Sequence, residues 1–208
     1  MIGIYLIIAF IISGLLFSNR NTKLNNILLV AFLVLQCFFT YYEYTHLSVI
    51  ELQFFKPDAL GILLLMTLTI VGGAAIYHSR LYINDHKENA RSRGIYFSAM
   101  VLLITAIGAA YLSNHIAVTW IFVEITTLSA SALIYHHRNE RSLEGTWKYV
   151  FICAISVTLI FIGILFLSMA MRQAGSTDLT FDNLLVKASV LNVFWLRLAF
   201  RHRSLSLN

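Results

Sequence analysis

Charge is scarce in this chain. Only 12% of its residues are Asp, Glu, Lys or Arg, whereas an average soluble domain carries about 25%. Hydrophobic residues make up 59% of the 208, and the mean hydropathy is +0.76. That balance excludes an ordinary soluble domain and points to an all-α, polytopic membrane helix bundle. Proline occurs once, at Pro57, and no Ser/Gly/Pro-rich run is present, so residues 1–208 read as a single membrane domain without a flexible linker. Two cysteines, Cys37 and Cys153, lie far apart within apolar runs. Their spacing suits neither a metal nor a redox pair, and they read as packing residues. There is no dinucleotide fingerprint, P-loop, iron–sulfur cysteine set or HExxH motif, so no cofactor is expected, and any redox chemistry belongs to other subunits. The net charge of +5 comes from basic residues in short loops. That distribution fits topology signals, with the lipid bilayer as partner and no nucleic acid.

A span needs about 20 mostly apolar residues, within a range of roughly 17–25. Six segments qualify: 2–17 (one residue short), 26–42, 59–77, 94–112, 115–135 and 147–170. The first lacks a preceding basic residue and a cleavage site, so it reads as a membrane helix and not a signal peptide. A seventh run, Val190 to Phe200, is too short to cross and is interrupted by Arg197. The expected fold is therefore six complete transmembrane helices plus an incomplete seventh. Loops one, three and five hold Arg20, Lys23, Arg80, Lys87, Arg91, Arg93, Arg138 and Arg141; the other loops hold only Lys56, Arg172 and Lys187. The positive-inside rule puts the first set in the cytoplasm and the N-terminus outside.

Against this background Glu124 stands out, alone in HIAVTWIFVEITTLSASALIY. A charged side chain at a bilayer centre costs roughly 2.5–3.5 kcal/mol on insertion scales. Nine residues below His115, its carboxylate starts about 13 Å into a core about 30 Å thick. It is either a proton-carrying acid or a buried, protonated Glu bonded to a neighbour. Thr119, Thr126, Thr127, Ser129 and Ser131 surround it; such hydroxyls can bond across helices or hold water. Lys148 opens the sixth span, well over 10 Å in depth from Glu124 along straight helices; it either takes part in proton transfer or snorkels beside Trp147. His136 and His137 either feed protons inward or anchor the interface. Asp58 reads as a helix N-cap, Gly72-Gly73 as close helix packing, and Glu43 and Glu51 as boundary residues needing no special role.

The segment TWIFVEITTLSASALIYHHRNERSLEGTWKYVFICAIS resembles the antiporter-like membrane subunits of respiratory complex I, hydrogenase-4-type hydrogenases and Mrp cation/proton antiporters. Its W-x-x-x-E-x-T-T-L run and L-E-x-x-W-K-Y context are most similar to hydrogenase-4 component F, and F-F-K-P-D-A-L also fits the family. The resemblance runs from about Phe54 to Phe200, with 94–200 like the start of a first inverted repeat.

It implies that Glu124 is the family's key acid and Lys148 a lysine tied to proton transfer and to tuning that acid. In the family the acid pairs with a lysine on a broken seventh helix. Here NVFWLRLAF is followed by RHRSLSLN and not by a G-T-K-x-G motif, so an N-terminal fragment, inactive alone, is expected. The implied function is a proton-translocating subunit of a complex I-like NADH:quinone oxidoreductase or hydrogenase-4-type complex in a bacterial-type inner (cell) membrane, partnered by other membrane subunits. A dehydrogenase or hydrogenase label would then describe the complex. The alternatives are a non-conducting scaffold and an Mrp-type Na⁺/H⁺ antiporter subunit.

Overall fold

In lipid a backbone must satisfy its own hydrogen bonds, and a run of apolar residues does so as a helix. The computed structural model describes residues 1–47, 50–85, 89–137, 139–173 and 175–187. Within them the chain forms α1 (Ile2–Ser18), α2 (Thr22–Thr45), α3 (Ala59–Asp85), α4 (Ala90–Leu112), α5 (Ile116–Ile134), a 3₁₀ turn (Tyr135–His137), α6 (Glu140–Gln173) and the short α7 (Phe181–Lys187). Five of these, α2 to α6, are long and apolar enough to cross a membrane, and α1 is a shorter apolar helix of 17 residues. The chain is thus a polytopic all-α bundle. The run Val190 to Phe200, expected as an incomplete seventh span, lies outside the described residues.

The central helix is α4, which packs against α1, α3 and α5 and more lightly against α2. Its buried face mixes Phe97, Val101, Ile104 and Leu112 with Gly94, Ala99, Ala106, Gly108 and Ala109. Small residues let neighbouring backbones approach closely. A Cβ on Gly94 would stand 2.6 Å from the Leu16 carbonyl oxygen of α1, and one on Gly61 of α3 would stand 2.7 Å from that of Tyr111. Gly72 is held closely too, since its Cβ would meet Ile104 at 3.2 Å. Cys37, by contrast, is exposed on α2 and packs no core, while Cys153 is half-buried. Exposed Ile, Leu and Phe side chains on α1 to α6 fit a bundle whose surroundings are lipid.

Successive helices alternate in direction, so Met1 and the connections α2–α3, α4–α5 and α6–α7 share one end of the bundle. Backbone hydrogen bonds sew that end together. Asn114 N–H donates to Phe54 O at 2.7 Å, Lys56 N–H to Leu112 O at 2.9 Å, Phe181 N–H to Asn114 O at 2.9 Å and Ile116 N–H to Leu179 O at 3.2 Å. The Lys56 ammonium and Asn114 amide both donate to Asp182 Oδ2, at 2.8 and 3.1 Å. These donors hold the Asp182 carboxyl below the usual carboxylate range. The turn Glu51–Phe55 closes on itself with two backbone bonds and places Leu52 and Gln53 at φ 51° and 62°. Asp58 caps α3 as expected, accepting from Gly61 N–H at 2.7 Å.

Candidate functional site

Glu124 lies near the middle of α5, eight residues or about 12 Å from its first residue. The side chain is half-buried. Its carboxylate accepts one hydrogen bond from within its own helix, a long one from Thr127 Oγ1 at 3.4 Å; the same hydroxyl donates to Glu124 O at 2.8 Å. The hydroxyls expected to bond across helices turn inward instead. Thr119, Thr126 and Ser131 donate to the carbonyls of His115, Val123 and Leu128 at 3.2, 2.6 and 2.7 Å. In an apolar surrounding the acceptor one turn back is the nearest one available.

The facing helix is α6. Trp120 Nε1–H donates to Val157 O at 3.0 Å, and its ring lies 4.8 Å from that of Phe161. This bond and the short link between the helices hold α5 and α6 in an antiparallel register running back from residues 134 and 140. A groove between Ser131, Ala132 and Tyr135 on one side and Leu143, Thr146 and Trp147 on the other agrees with that register. Counted from the ends that the link joins, Glu124 lies ten residues into α5 and Lys148 eight into α6, so the two stand within about one turn of the same depth. This corrects the sequence-based depth of well over 10 Å. The cause is that α6 begins at Glu140 and not at Trp147, which lifts Lys148 by about two turns.

Lys148 does not reach Glu124. Its ammonium donates to Glu144 Oε1 at 2.5 Å, with both side chains largely exposed. A Glu four residues before a Lys is the favourable helical order for such a pair. His136 packs its ring 4.7 Å from Tyr96, whose hydroxyl is 3.0 Å from Ser79 Oγ. It thereby ties the end of α5 to α3 and α4. The side chain of His137 lies outside the described residues. The structure thus brings Glu124 together with Thr127 and sets Lys148 on the adjacent helix. His136 sits at the far end of α5.

Two acids carry more than their sequence positions suggest. Glu43 is 2% exposed, and its Oε1 has no hydrogen-bond partner among the described residues. Glu51 accepts from the Met1 amine and, at 2.7 Å, from Ile2 N–H, the first free donor of α1. Burial would push the Glu51 carboxyl up, but these donors outweigh it and hold the group below the ordinary carboxylate range. Polar side chains at 36, 40 and 43 carry the signal for Glu43, because that spacing sets all three on one helical face.

No family model matches the chain. It is 25% identical over 155 residues to the hydrogenase-4 component F homolog of Methylacidiphilum infernorum, covering 71% of this chain and 33% of that protein. It is 28% identical over 96 residues to a subunit of the Na(+)/H(+) antiporter of Alkalihalophilus pseudofirmus, covering 46% of this chain and 12% of that protein. The chain spans about a third of the length of the first relative and less of the second. Both similarities are consistent with the antiporter-like membrane subunits that the residues around Glu124 resemble.

Proposed function

We propose that the chain is an antiporter-like membrane subunit of a complex I-like NADH:quinone oxidoreductase or hydrogenase-4-type assembly, with Glu124 as its proton-carrying acid. The observation that carries this reading is a carboxylate at mid-span whose single hydrogen bond within its own helix is long. Such a group is not retained in lipid for structural reasons, since it offsets little of its cost. Being half-buried, it is open to protonation and to whatever packs against α5. Lys148 lies on the neighbouring helix within about one turn of the same depth, where its charge can act on Glu124 through water or side chains. His136, at the end of α5, offers a proton entry from the face opposite Met1, with His137 beside it in sequence. That face is the cytoplasmic one by the Lys/Arg balance of the loops, which puts Met1 outside a bacterial-type inner membrane. On this reading any redox chemistry belongs to other subunits of the assembly, and the partners of the chain in the bilayer are the other membrane subunits.

Glu124→Gln tests the reading in vesicles containing the whole assembly. Proton movement should fall to background while the subunits still co-purify. Unchanged proton movement would leave a membrane scaffold as the better description. The similarity to part of a Na⁺/H⁺ antiporter favours one second reading, exchange of Na⁺ for protons. Proton flux that follows an imposed Na⁺ gradient would select it.

A further inference from the structure

Away from Glu124, the first four helices enclose a second polar system. The buried face of α2 carries Gln36, Thr40 and Glu43 in successive turns. Gln36 Oε1 accepts from the Tyr5 hydroxyl of α1 at 2.5 Å, and Gln36 Nε2 donates to Thr69 Oγ1 of α3 at 3.2 Å. Thr69 Oγ1 lies 2.8 Å from Thr40 Oγ1, which donates to Gln36 O at 2.9 Å. Tyr5 is clamped by stacking on Phe39 at 4.0 Å. The hydroxyls can each donate and accept a hydrogen bond, whereas the amide accepts at its oxygen and donates at its nitrogen.

Above this chain stands Glu43, one turn from Thr40 and two residues before Thr45, the last of α2. A carboxylate this buried with an oxygen left unbonded has no reason to be charged, but it has room for a proton on that oxygen. The charged groups near it are Glu51 and the Met1 amine from the facing segments, and His46 just past its own helix. All belong to the Met1 end. On the other side the polar chain passes from Tyr5 to the buried Thr105 of α4 and ends there, against Leu29, Phe32, Ile76, Val101 and Ile104, at most 5% exposed. This apolar layer separates it from Ser13, which pairs with Ser98 at 2.9 Å.

We propose that Glu43 is a proton-binding site that exchanges with water at the Met1 end only, standing one helical turn above the hydrogen-bonded group of Thr40, Thr69, Gln36 and Tyr5, which reaches towards mid-membrane. The proton comes from water at that face, binds Glu43 Oε1 and returns the same way, because the polar groups end at Thr105, whose hydroxyl is turned to Val101 O at 2.8 Å, and the apolar layer follows. The site is a one-sided proton well in α1–α4, separate from Glu124, so it stands or falls independently of the function proposed above.

The test is pH-difference infrared spectroscopy of the full chain, reconstituted with uniform orientation in sealed vesicles. A protonated-carboxyl band should grow as the pH at the Met1 face falls and stay constant when only the opposite face is acidified. Glu43→Gln should delete it, Glu124→Gln should leave it, and Gln36→Leu should move it by changing the chain below. If Glu43→Gln does not fold, Glu43→Asp must shift the band. A band that survives Glu43→Gln, fails to move in Glu43→Asp, or answers to the opposite face overturns the proposal.

Discussion

Glu124 and Glu51 are both acids on a bundle of apolar helices, yet their surroundings assign them opposite duties. Glu51 is engaged through Oε2, which holds both the first free N–H of α1 and the Met1 amine. Glu51→Gln keeps the size but removes the charge that makes those bonds strong. Because the site is partly open to solvent, the loss should be about 1 kcal/mol, read as a lower unfolding midpoint in detergent with transport little changed. Glu124→Gln should show the reverse, near-normal stability and lost proton movement. Sequence makes Glu124 conspicuous because it is the only charge in its span. Glu43 is harder to see, since it falls where hydropathy fades into the boundary, and only its spacing from Thr40 and Gln36 hints at burial. The Lys148–Glu144 pair is legible as an i,i+4 spacing, but only once the helix is known to start at Glu140.

At the scale of helices, hydropathy locates every span but not its ends. The stretch 26–42 lies inside Thr22–Thr45, 59–77 inside Ala59–Asp85, and 147–170 inside Glu140–Gln173. Apolar composition marks what lipid covers, whereas the backbone ladder continues into the interface until a cap ends it. The packing between helices is set by glycines that hydropathy does not weigh. Gly94→Ala would drive a methyl into the Leu16 carbonyl of α1. It should destabilise by about 1–3 kcal/mol, as overpacking usually does. Gly14 and Gly145 have nothing within 4 Å of an added Cβ, so alanine there should be neutral or stabilise by up to about 1 kcal/mol. Unfolding of the three single variants in one detergent measures the contrast. A Gly94→Ala protein as stable as Gly14→Ala would refute the close α1–α4 approach. The turn at Leu52 and Gln53 is a local conflict of the opposite kind, because positive φ suits Gly or Asn better than either residue. Gln53→Gly should therefore raise stability.

For the whole molecule, the loops at the Met1 end depend on ionised carboxyls. Glu51 and Asp182 both titrate below their ordinary values in the folded chain. Their contribution is therefore present above the unfolded values and lost as the pH falls through the depressed folded ones. Acid should loosen the Met1 end, and Lys56→Ala combined with Asp182→Asn should flatten that dependence in unfolding midpoints followed against pH. Sidedness has its own check. A cysteine placed at Asn114 should react with an impermeant reagent from one side of the membrane, and one placed at Asn139 from the other. Labelling of both from the same side would show that α5, which lies between them, does not cross the membrane. None of the loop-to-loop bonds can be read from sequence, because Phe54, Asn114 and Phe181 meet only after the helices between them have turned back. Those bonds have a mechanical consequence. At the Met1 end α5 and α6 are fastened through Ile116, Leu179 and the Trp120–Val157 bond. Where α6 enters, the described bonds of Asn139 and Ser142 are local to its first turn. Two rods tied at one end by these bonds, and at the other by the short link of residues 135–139, behave as the long sides of a closed frame. Glu124 and Lys148 lie on facing sides of that frame, between its two ties.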